Sequence, residues 1–152
     1  MSNSYIPFYK PNMGKEEVVS VKKSIESGWL TTGKKVKEFQ ERFSDFIDVK
    51  HSLAVNSCTA GLHLLLVAAG IGKGDEVITT SMTFVSTVNV IEEVGAEPIL
   101  ADIDPKTFNI SIEDIKKKIT EKTKAIIPVH MAGQPCNMDE IMSLADHHQL
   151  FV

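Results

Sequence analysis

The chain has 152 residues, the length of one ordinary domain, which is enough to bury a hydrophobic core. Its composition is that of a globular protein, and a net charge of −4 argues against nucleic acid or an anionic membrane as the main partner. The two cysteines, Cys58 and Cys136, indicate neither a disulfide framework nor a zinc site. No segment has the ~20 apolar residues of a membrane span. We therefore expect a cytoplasmic protein that holds no metal.

The first part of the chain is predicted to contain two helices. Residues 1–14 are predicted to be irregular, because Pro7, Pro11 and Gly14 disfavour regular secondary structure. Apolar residues recur at helical spacing from Lys15, and Gly28 lies where a C-terminal cap is expected. A loop at residues 29–33 carries the only tryptophan, and a second helix follows. The apolar residues on one face of that helix are expected to pack in the core: Val36, Phe39, Phe43 and Phe46.

Residues 51–61 are the segment around which the rest is organised. The apolar run at residues 53–55 predicts a buried strand, residues 56–59 a turn, and residues 62–69 a helix closed by Gly70. A strand, turn and helix in this order point unpaired backbone N–H groups at an anion, with the positive end of the helix dipole behind them. The alternative is that Ser57 or Thr59 only caps the helix.

The remaining residues alternate between strands and helices. Strands are predicted at residues 75–79, 98–102 and 125–129, and helices at residues 84–94, 111–119 and 138–148. This alternation predicts βαβ units and a mostly parallel sheet. The turns at residues 56–59, 81–83, 102–104 and 130–133 would then share the carboxyl edge of that sheet, where such sheets bind ligands.

Residues 150–152 resemble the start of another buried strand. We therefore expect a domain that is truncated within a strand, through a shortened gene or because the chain belongs to something longer. An unpaired strand edge favours association. The chain is accordingly predicted to self-associate.

Several motifs occur in an order that resembles one protein family. They are residues 27–33, 56–63, 74–78, 83–87, 122–127 and 128–134. Their order and intervals are similar to those of the nucleotide-sugar aminotransferases of the DegT/DnrJ/EryC1/StrS group. The resemblance covers essentially the whole chain, but only the N-terminal part of the family's length, somewhat under half.

The resemblance implies an enzyme that depends on pyridoxal 5′-phosphate (PLP) and has the aspartate-aminotransferase fold (fold type I). In that family the turn matching Cys58, Thr59 and Ala60 holds the cofactor phosphate, and the aromatic residue matching Phe84 stacks on the pyridine ring. The segment matching Trp29 and Thr31 helps to shape the substrate pocket. The implied domains are residues 1–33, an N-terminal arm with the first helix and the substrate-side loop, and residues 34–152, an incomplete PLP-binding large domain.

The family's catalytic groups have no match in the chain. The acidic residue that pairs with the pyridine nitrogen and the lysine that forms the Schiff base would both fall beyond Val152. No catalytic residue is therefore assigned, and the isolated chain is predicted to be inactive.

The resemblance implies the front portion of a transferase in amino-sugar and cell-surface polysaccharide biosynthesis. Its partners would be a nucleotide-linked keto-sugar, an amino donor such as glutamate, and a second copy in a homodimer. Three alternatives stay open: a non-catalytic truncated remnant, a PLP- or PMP-dependent sugar dehydratase of the same family, and an unrelated nucleotide-binding α/β domain. The third is disfavoured, because the glycines at residues 70–74 precede a strand instead of following one.

Histidines occur at two further places of interest. His147 and His148 lie on a polar helix end and are predicted to be solvated. His130 follows a predicted strand at its carboxyl end, and a structural hydrogen bond is favoured over a substrate role.

Overall fold

The computed structural model describes residues 5, 7 and 9–152. They form two compact units, one ending at Ala54 and the other comprising Val55–Val152. The predicted domains, residues 1–33 and 34–152, are defined by the roles of these segments and not by their compactness. This division stays a prediction. Of the predicted irregular segment, residues 1–4, 6 and 8 lie outside the described residues, and its other residues form neither helix nor strand.

The first unit contains two helices, α1 (Lys15–Glu26) and α2 (Lys34–Ile47), as predicted. Helix α1 begins where the Gly14 N–H donates to the Glu17 carboxylate at 2.6 Å, which satisfies one of the N–H groups that a helix start leaves free. The helix is followed by Gly28 in the left-handed region, at φ +70°. Glycine tolerates this conformation without strain, and the predicted C-terminal cap is confirmed.

The aromatic face of α2 is not buried, and the prediction of core packing is wrong for this unit. Phe39 is 58% exposed and Phe46 86% exposed. The rings of Phe39 and Phe43 lie beside each other, with centroids 5.9 Å apart. Neither helix of this unit has a buried residue. Two helices alone do not enclose an apolar face, since a core needs a second packed layer.

The second unit alternates helices and strands. Its elements are α3 (Cys58–Ala68), β1 (Glu76–Thr80), α4 (Ser86–Glu93), β2 (Glu97–Ala101), α5 (Ile112–Lys118), β3 (Thr123–Ile127), a 3-10 turn (Met131–Gly133) and α6 (Met138–His148). The strands form a parallel sheet in the order β2-β1-β3. The predicted parallel sheet flanked by helices is thus confirmed.

A single parallel bridge extends the sheet beyond β3. It pairs Phe151 with Ala125. The Phe151 N–H donates to the Lys124 carbonyl, and the Phe151 carbonyl accepts from the Ile126 N–H, both at 2.9 Å. Phe151 therefore pairs beside β3, but the prediction of a buried strand is not met, since Phe151 is 57% and Val152 48% exposed.

The core lies on both faces of the sheet. Val77 and Ile78, adjacent in β1, are both fully buried and belong to two different clusters. Successive residues of a strand point to opposite faces, so β1 is covered on both sides. The first cluster contains residues of α3 and α4, and the second contains residues of α5 and α6.

The predicted strand at residues 53–55 is absent, and that prediction is wrong. Leu53 is 75% exposed, and no strand of the described residues pairs with this segment. The Ala54 N–H donates instead to the Gln40 side chain at 3.0 Å. An apolar run becomes a strand only where another strand accepts its backbone hydrogen bonds. As a consequence, the turn at residues 56–59 does not follow a strand.

Candidate functional site

The carboxyl ends of the three strands form one edge of the sheet, because all pairs are parallel. The chain passes from the central strand β1 through α4 to β2, and from there through α5 to β3 on the other side of β1. This reversal places a topological switch point between β1 and β3, where open parallel sheets bind ligands. Residues 81–84 and 128–133, which follow these two strands, border the crevice.

The N-terminus of α3 presents two unused hydrogen-bond donors. The Ser57 hydroxyl accepts from the Ala60 N–H at 3.1 Å, and the Ser57 carbonyl accepts from the Gly61 N–H. Within the described part of the chain, the N–H groups of Cys58 and Thr59 have no acceptor. Both lie at the positive end of an 11-residue helix. Two free donors at such an end match the chemistry of a phosphate.

The geometry of this turn agrees with both interpretations, the helix cap and the anion site. Ser57 caps the helix, and the N–H groups of Cys58 and Thr59 remain available to an anion. Of the three residues predicted to hold a cofactor phosphate, Ala60 has its N–H engaged by Ser57. Cys58 is exposed and Thr59 is half-buried. The Thr59 hydroxyl makes no hydrogen bond to a described residue. The phosphate role of Cys58, Thr59 and Ala60 stays a prediction.

Phe84 lies in the turn between β1 and α4, at the switch point. Phe84 is 76% exposed and does not pack in the core. The Phe84 carbonyl accepts from the Thr87 N–H at 3.0 Å, and the Thr83 and Thr87 hydroxyls are 2.9 Å apart. Helix α4 packs against α3. An exposed aromatic face on a fixed turn can stack on a planar ligand, and this role also stays a prediction.

The loop after β3 is fixed by hydrogen bonds of His130, which the sequence singles out, and of Cys136. The Cys136 N–H donates to the His130 Nδ1 at 3.1 Å. This is the structural hydrogen bond favoured by the sequence. The Cys136 thiol donates to the Val129 carbonyl at 3.2 Å, and burial raises the pKa of that thiol.

The side chain of Asn109 forms hydrogen bonds with the backbone of the same loop. Its side chain is only 5% exposed. The amide nitrogen donates to the carbonyls of Gln134 and Pro135, and the amide oxygen accepts from the Met131 N–H at 3.0 Å. No motif marks this residue in the sequence, because its partners lie 22–26 positions away.

Replacing Asn109 with alanine should lower the free energy of unfolding by about 2–4 kcal/mol, because one N–H and two carbonyls of the loop lose their partner. Urea unfolding followed by circular dichroism measures this. Asn89, exposed on α4, is the matched control, and N89A should change stability by less than about 0.5 kcal/mol. Equal effects of the two substitutions would contradict the role given to Asn109.

Asp104 organises the turn after β2. Its carboxylate accepts from the N–H groups of Lys106 and Thr107, at 2.8 and 3.0 Å. These hydrogen bonds, that from Lys106 first, lower the pKa of Asp104 below its usual 3.8. The carboxylate therefore stabilises the fold above that value, and the contribution is lost as pH falls through the lower folded-state pKa.

The substitution D104N tests this pH dependence, since asparagine keeps an acceptor oxygen but does not titrate. The stability difference between the wild type and D104N should be constant above about pH 5 and should shrink below about pH 4. Unfolding by urea at a series of pH values measures it. Two curves that stay parallel down to about pH 2 would contradict the assigned pKa direction.

The predicted substrate-side residues lie in the first unit. The Trp29 Nε1–H donates to the Thr32 carbonyl at 3.1 Å. The indole lies directly against Gly33, where any side-chain carbon would overlap the ring. Thr31 lines the same cleft as Trp29. The substrate role of Trp29 and Thr31 stays a prediction.

The part of the chain that the structure covers holds neither a membrane span nor a metal cluster. None of its helices combines the length and apolar character required to cross a bilayer. Among these same residues, no three histidine, cysteine, aspartate or glutamate side chains are grouped so as to hold a metal ion.

Comparison with known proteins gives consistent matches. The profile of the DegT/DnrJ/EryC1/StrS aminotransferase family matches residues 11–152. The spore coat polysaccharide biosynthesis protein SpsC of Bacillus subtilis is 50% identical over 150 residues, which are 99% of this chain and 39% of SpsC. The chain thus spans about two fifths of the length of this relative.

Solved structures of aminotransferases share the fold. A Streptococcus pneumoniae protein described as a sugar aminotransferase, in its PLP form, is 38% identical, with a TM-score of 0.89 over 97% of this chain and 38% of its own. The same protein is also solved in a PMP form. An aminotransferase of Psychrobacter cryohalolentis is 39% identical, with a TM-score of 0.88 over 95% of this chain and 37% of its own.

Proposed function

Since the chain belongs to the DegT/DnrJ/EryC1/StrS aminotransferase family, we propose that it forms the N-terminal part of a PLP-dependent enzyme that aminates a keto group on a nucleotide-linked sugar. The observation that carries the proposal is the pair of free N–H groups at the start of α3, on a helix that packs beside the one following Phe84. The PLP and PMP forms of a neighbour support the cofactor. The name of SpsC supports a role in polysaccharide biosynthesis, with glutamate as the expected donor.

The described residues fit the cofactor's two ends. Its phosphate would accept hydrogen bonds from the N–H groups of Cys58 and Thr59 and from the Thr59 hydroxyl, with Ala60 completing the turn. The exposed face of Phe84 would lie against its ring. When bound, PLP supplies an electron sink for the amino-transfer chemistry. These residues bind and orient, and none of them is proposed to transfer a proton.

The amino-transfer step is proposed to need residues that this chain does not supply. The resemblance matches no position among its 152 residues to the cofactor-bonding lysine or to the ring-nitrogen acid. The isolated chain should therefore show no transaminase activity. Borohydride reduction of a mixture with PLP, followed by peptide mapping, should label no single lysine stoichiometrically.

A chimera tests the function of the chain in an assembled enzyme. The chain would replace the matching 37% of the Psychrobacter cryohalolentis aminotransferase. Production of 2-oxoglutarate from glutamate would be followed with a nucleotide-linked keto-sugar as acceptor. We expect activity within about tenfold of the parent, a loss of ~1.4 kcal/mol at most. A folded chimera that binds PLP yet transfers no amino group would contradict the proposal. In the borohydride experiment, stoichiometric labelling of Lys124 together with activity of the isolated chain would also contradict it.

Self-association is also part of the proposal. The exposed apolar face of α2, which includes Phe39 and Phe46, favours association in water. Sedimentation of the isolated chain should give a mass of at least twice the 16.8 kDa of one copy. A monomer at all concentrations would contradict it.

We also propose that the protein is located in the cytoplasm, because its two cysteines indicate no disulfide framework.

A further inference from the structure

The turn that carries Phe84 is joined to α4 by a pair of threonine hydroxyls. Thr83 precedes Phe84, and Thr87 lies in the first turn of α4. Their hydroxyl oxygens are 2.9 Å apart. The Thr87 N–H also donates to the Phe84 carbonyl, at 3.0 Å. Thr87 therefore holds Phe84 through its backbone and holds the preceding residue through the hydroxyl pair.

Thr87 is buried, although Phe84 itself is open to solvent. Thr87 is 5% exposed and Thr83 is half-buried. Among the described residues, the Thr83 hydroxyl is the partner of the Thr87 hydroxyl, and no other is found. A buried hydroxyl keeps its hydrogen bond, because water is not available there as another partner. The hydroxyl pair thus fixes the backbone three to four residues before Thr87, where the exposed ring begins.

The other end of the turn is fixed to the sheet. The Ser81 N–H donates to the Ala101 carbonyl of β2 at 2.9 Å, and the Met82 N–H donates to the Thr80 hydroxyl at 3.2 Å. Thr80 is the last residue of β1 and is 1% exposed. The backbone is therefore held on both sides of Phe84. Such preorganisation raises affinity, because less conformational freedom is lost when a ligand binds.

We propose that Thr87 is a positioning residue for the cofactor, whose hydroxyl holds the turn through Thr83 so that the ring of Phe84 meets the pyridine ring of the cofactor. The inference rests on the proposed function for the identity of this ligand. It extends that function to a buried residue that is not itself a ligand contact. The phosphate donors of Cys58 and Thr59 lie on a different helix, α3, and should not depend on the hydroxyl pair.

The substitution T87V tests the proposal, because valine is similar in shape to threonine but has no hydroxyl. T87V should weaken PMP binding by about three- to tenfold, the range for one aromatic stacking contact. Inorganic phosphate has no ring and should bind T87V and the wild type within about twofold of each other. T87S keeps the hydroxyl and should restore the affinity for PMP. The amide shifts of Cys58 and Thr59 in the full chain measure both affinities.

Two comparisons separate positioning of the ring from a general loss of stability. In the F84A background, T87V should change PMP affinity by less than about twofold, because the ring that it positions is absent. T123V is the matched control. Thr123 is 3% exposed at the start of β3, and its hydroxyl accepts from the Thr120 N–H at 2.9 Å. T123V should destabilise the fold but leave PMP affinity within about twofold.

Circular dichroism of bound PMP gives a signature that a merely structural role would not change. Free PMP is achiral, so its absorption band acquires circular dichroism only when the protein holds the ring in a fixed orientation. At saturating PMP, this signal should be smaller in T87V than in the wild type and should be retained in T123V. An equal signal in T87V and the wild type would show that the hydroxyl does not orient the ring.

A loss of affinity confined to PMP that T87S reverses supports the proposal. Unchanged PMP affinity in T87V, equal losses for PMP and phosphate, or a further loss in the F84A background would overturn it. If T87V does not fold, T83V removes the other hydroxyl of the pair at a half-buried position, and the same results are expected of it. If PMP fails to shift the Cys58 and Thr59 amides of the wild type, the proposed function fails and this inference with it. Wild-type shifts combined with unchanged affinity of T87V overturn this inference alone.

Discussion

Replacing Ile78 with alanine should lower the free energy of unfolding by about 2–5 kcal/mol, the range for truncating a fully buried isoleucine. Ile78 lies in the central strand β1, has no exposed surface, and belongs to the cluster that includes residues of α5 and α6. The substitution shortens the side chain to a methyl group and leaves a cavity between the sheet and these helices. Because small domains are stable by only about 5–15 kcal/mol, I78A should remove a large fraction of the stability.

Leu100 is the matched control for this experiment. It lies in the neighbouring strand β2, opposite Thr79, and is 46% exposed. L100A should therefore cost less than about 1 kcal/mol, since much of the side chain already contacts water. Urea titrations of the two variants give both values. A smaller loss for I78A than for L100A would show that the sheet is not buried on this face.

Replacing Thr59 with alanine should weaken the binding of PMP by roughly 1–3 kcal/mol, or about 5- to 150-fold, the range for a hydrogen bond to a charged group. The Thr59 hydroxyl has no partner among the described residues, so its loss should affect the ligand more than the fold. PMP is the appropriate probe because its amine does not react with lysines, whereas the aldehyde of PLP does.

Isothermal titration calorimetry measures this change. Ser143, exposed on α6, provides a hydroxyl of similar size away from the site, and S143A should leave PMP affinity within about twofold of the wild type. Pyridoxamine without phosphate should bind the wild type and T59A with equal, weak affinity. An unchanged affinity of T59A for PMP would remove the Thr59 hydroxyl from the phosphate site.

Features that depend on neighbouring residues could be predicted from the sequence. The sequence pattern predicts a helix at residues 138–148, and α6 is observed at Met138–His148. The helix predicted at residues 111–119 is observed as α5 at Ile112–Lys118, with the Ser111 hydroxyl accepting from the Asp114 N–H at its start. The alternation of strands and helices likewise predicts the parallel sheet, because each apolar run lies inside one element.

Features that depend on distant residues could not be predicted. The apolar run at residues 53–55 predicts a strand, but no described strand pairs with it. The Ala54 N–H instead donates a hydrogen bond to the Gln40 side chain. The phenylalanines of α2 have core-like spacing, yet their exposure depends on what packs against the helix. The loop after β3 is held by Asn109, a residue of ordinary type in an irregular segment. Periodicity carries no information on such contacts.

Titration of isotope-labelled chain with PMP, followed by amide chemical shifts, tests most directly whether the start of α3 is the phosphate site. We expect saturable shifts of the Cys58 and Thr59 amides, whose N–H groups have no acceptor among the described residues. The Ala60 amide, already donating to Ser57, should shift less. T59A should weaken the response, and pyridoxamine without phosphate should not produce it. Shifts confined to other parts of the chain, with Cys58 and Thr59 unchanged at saturation, would show that the start of α3 is not the phosphate site.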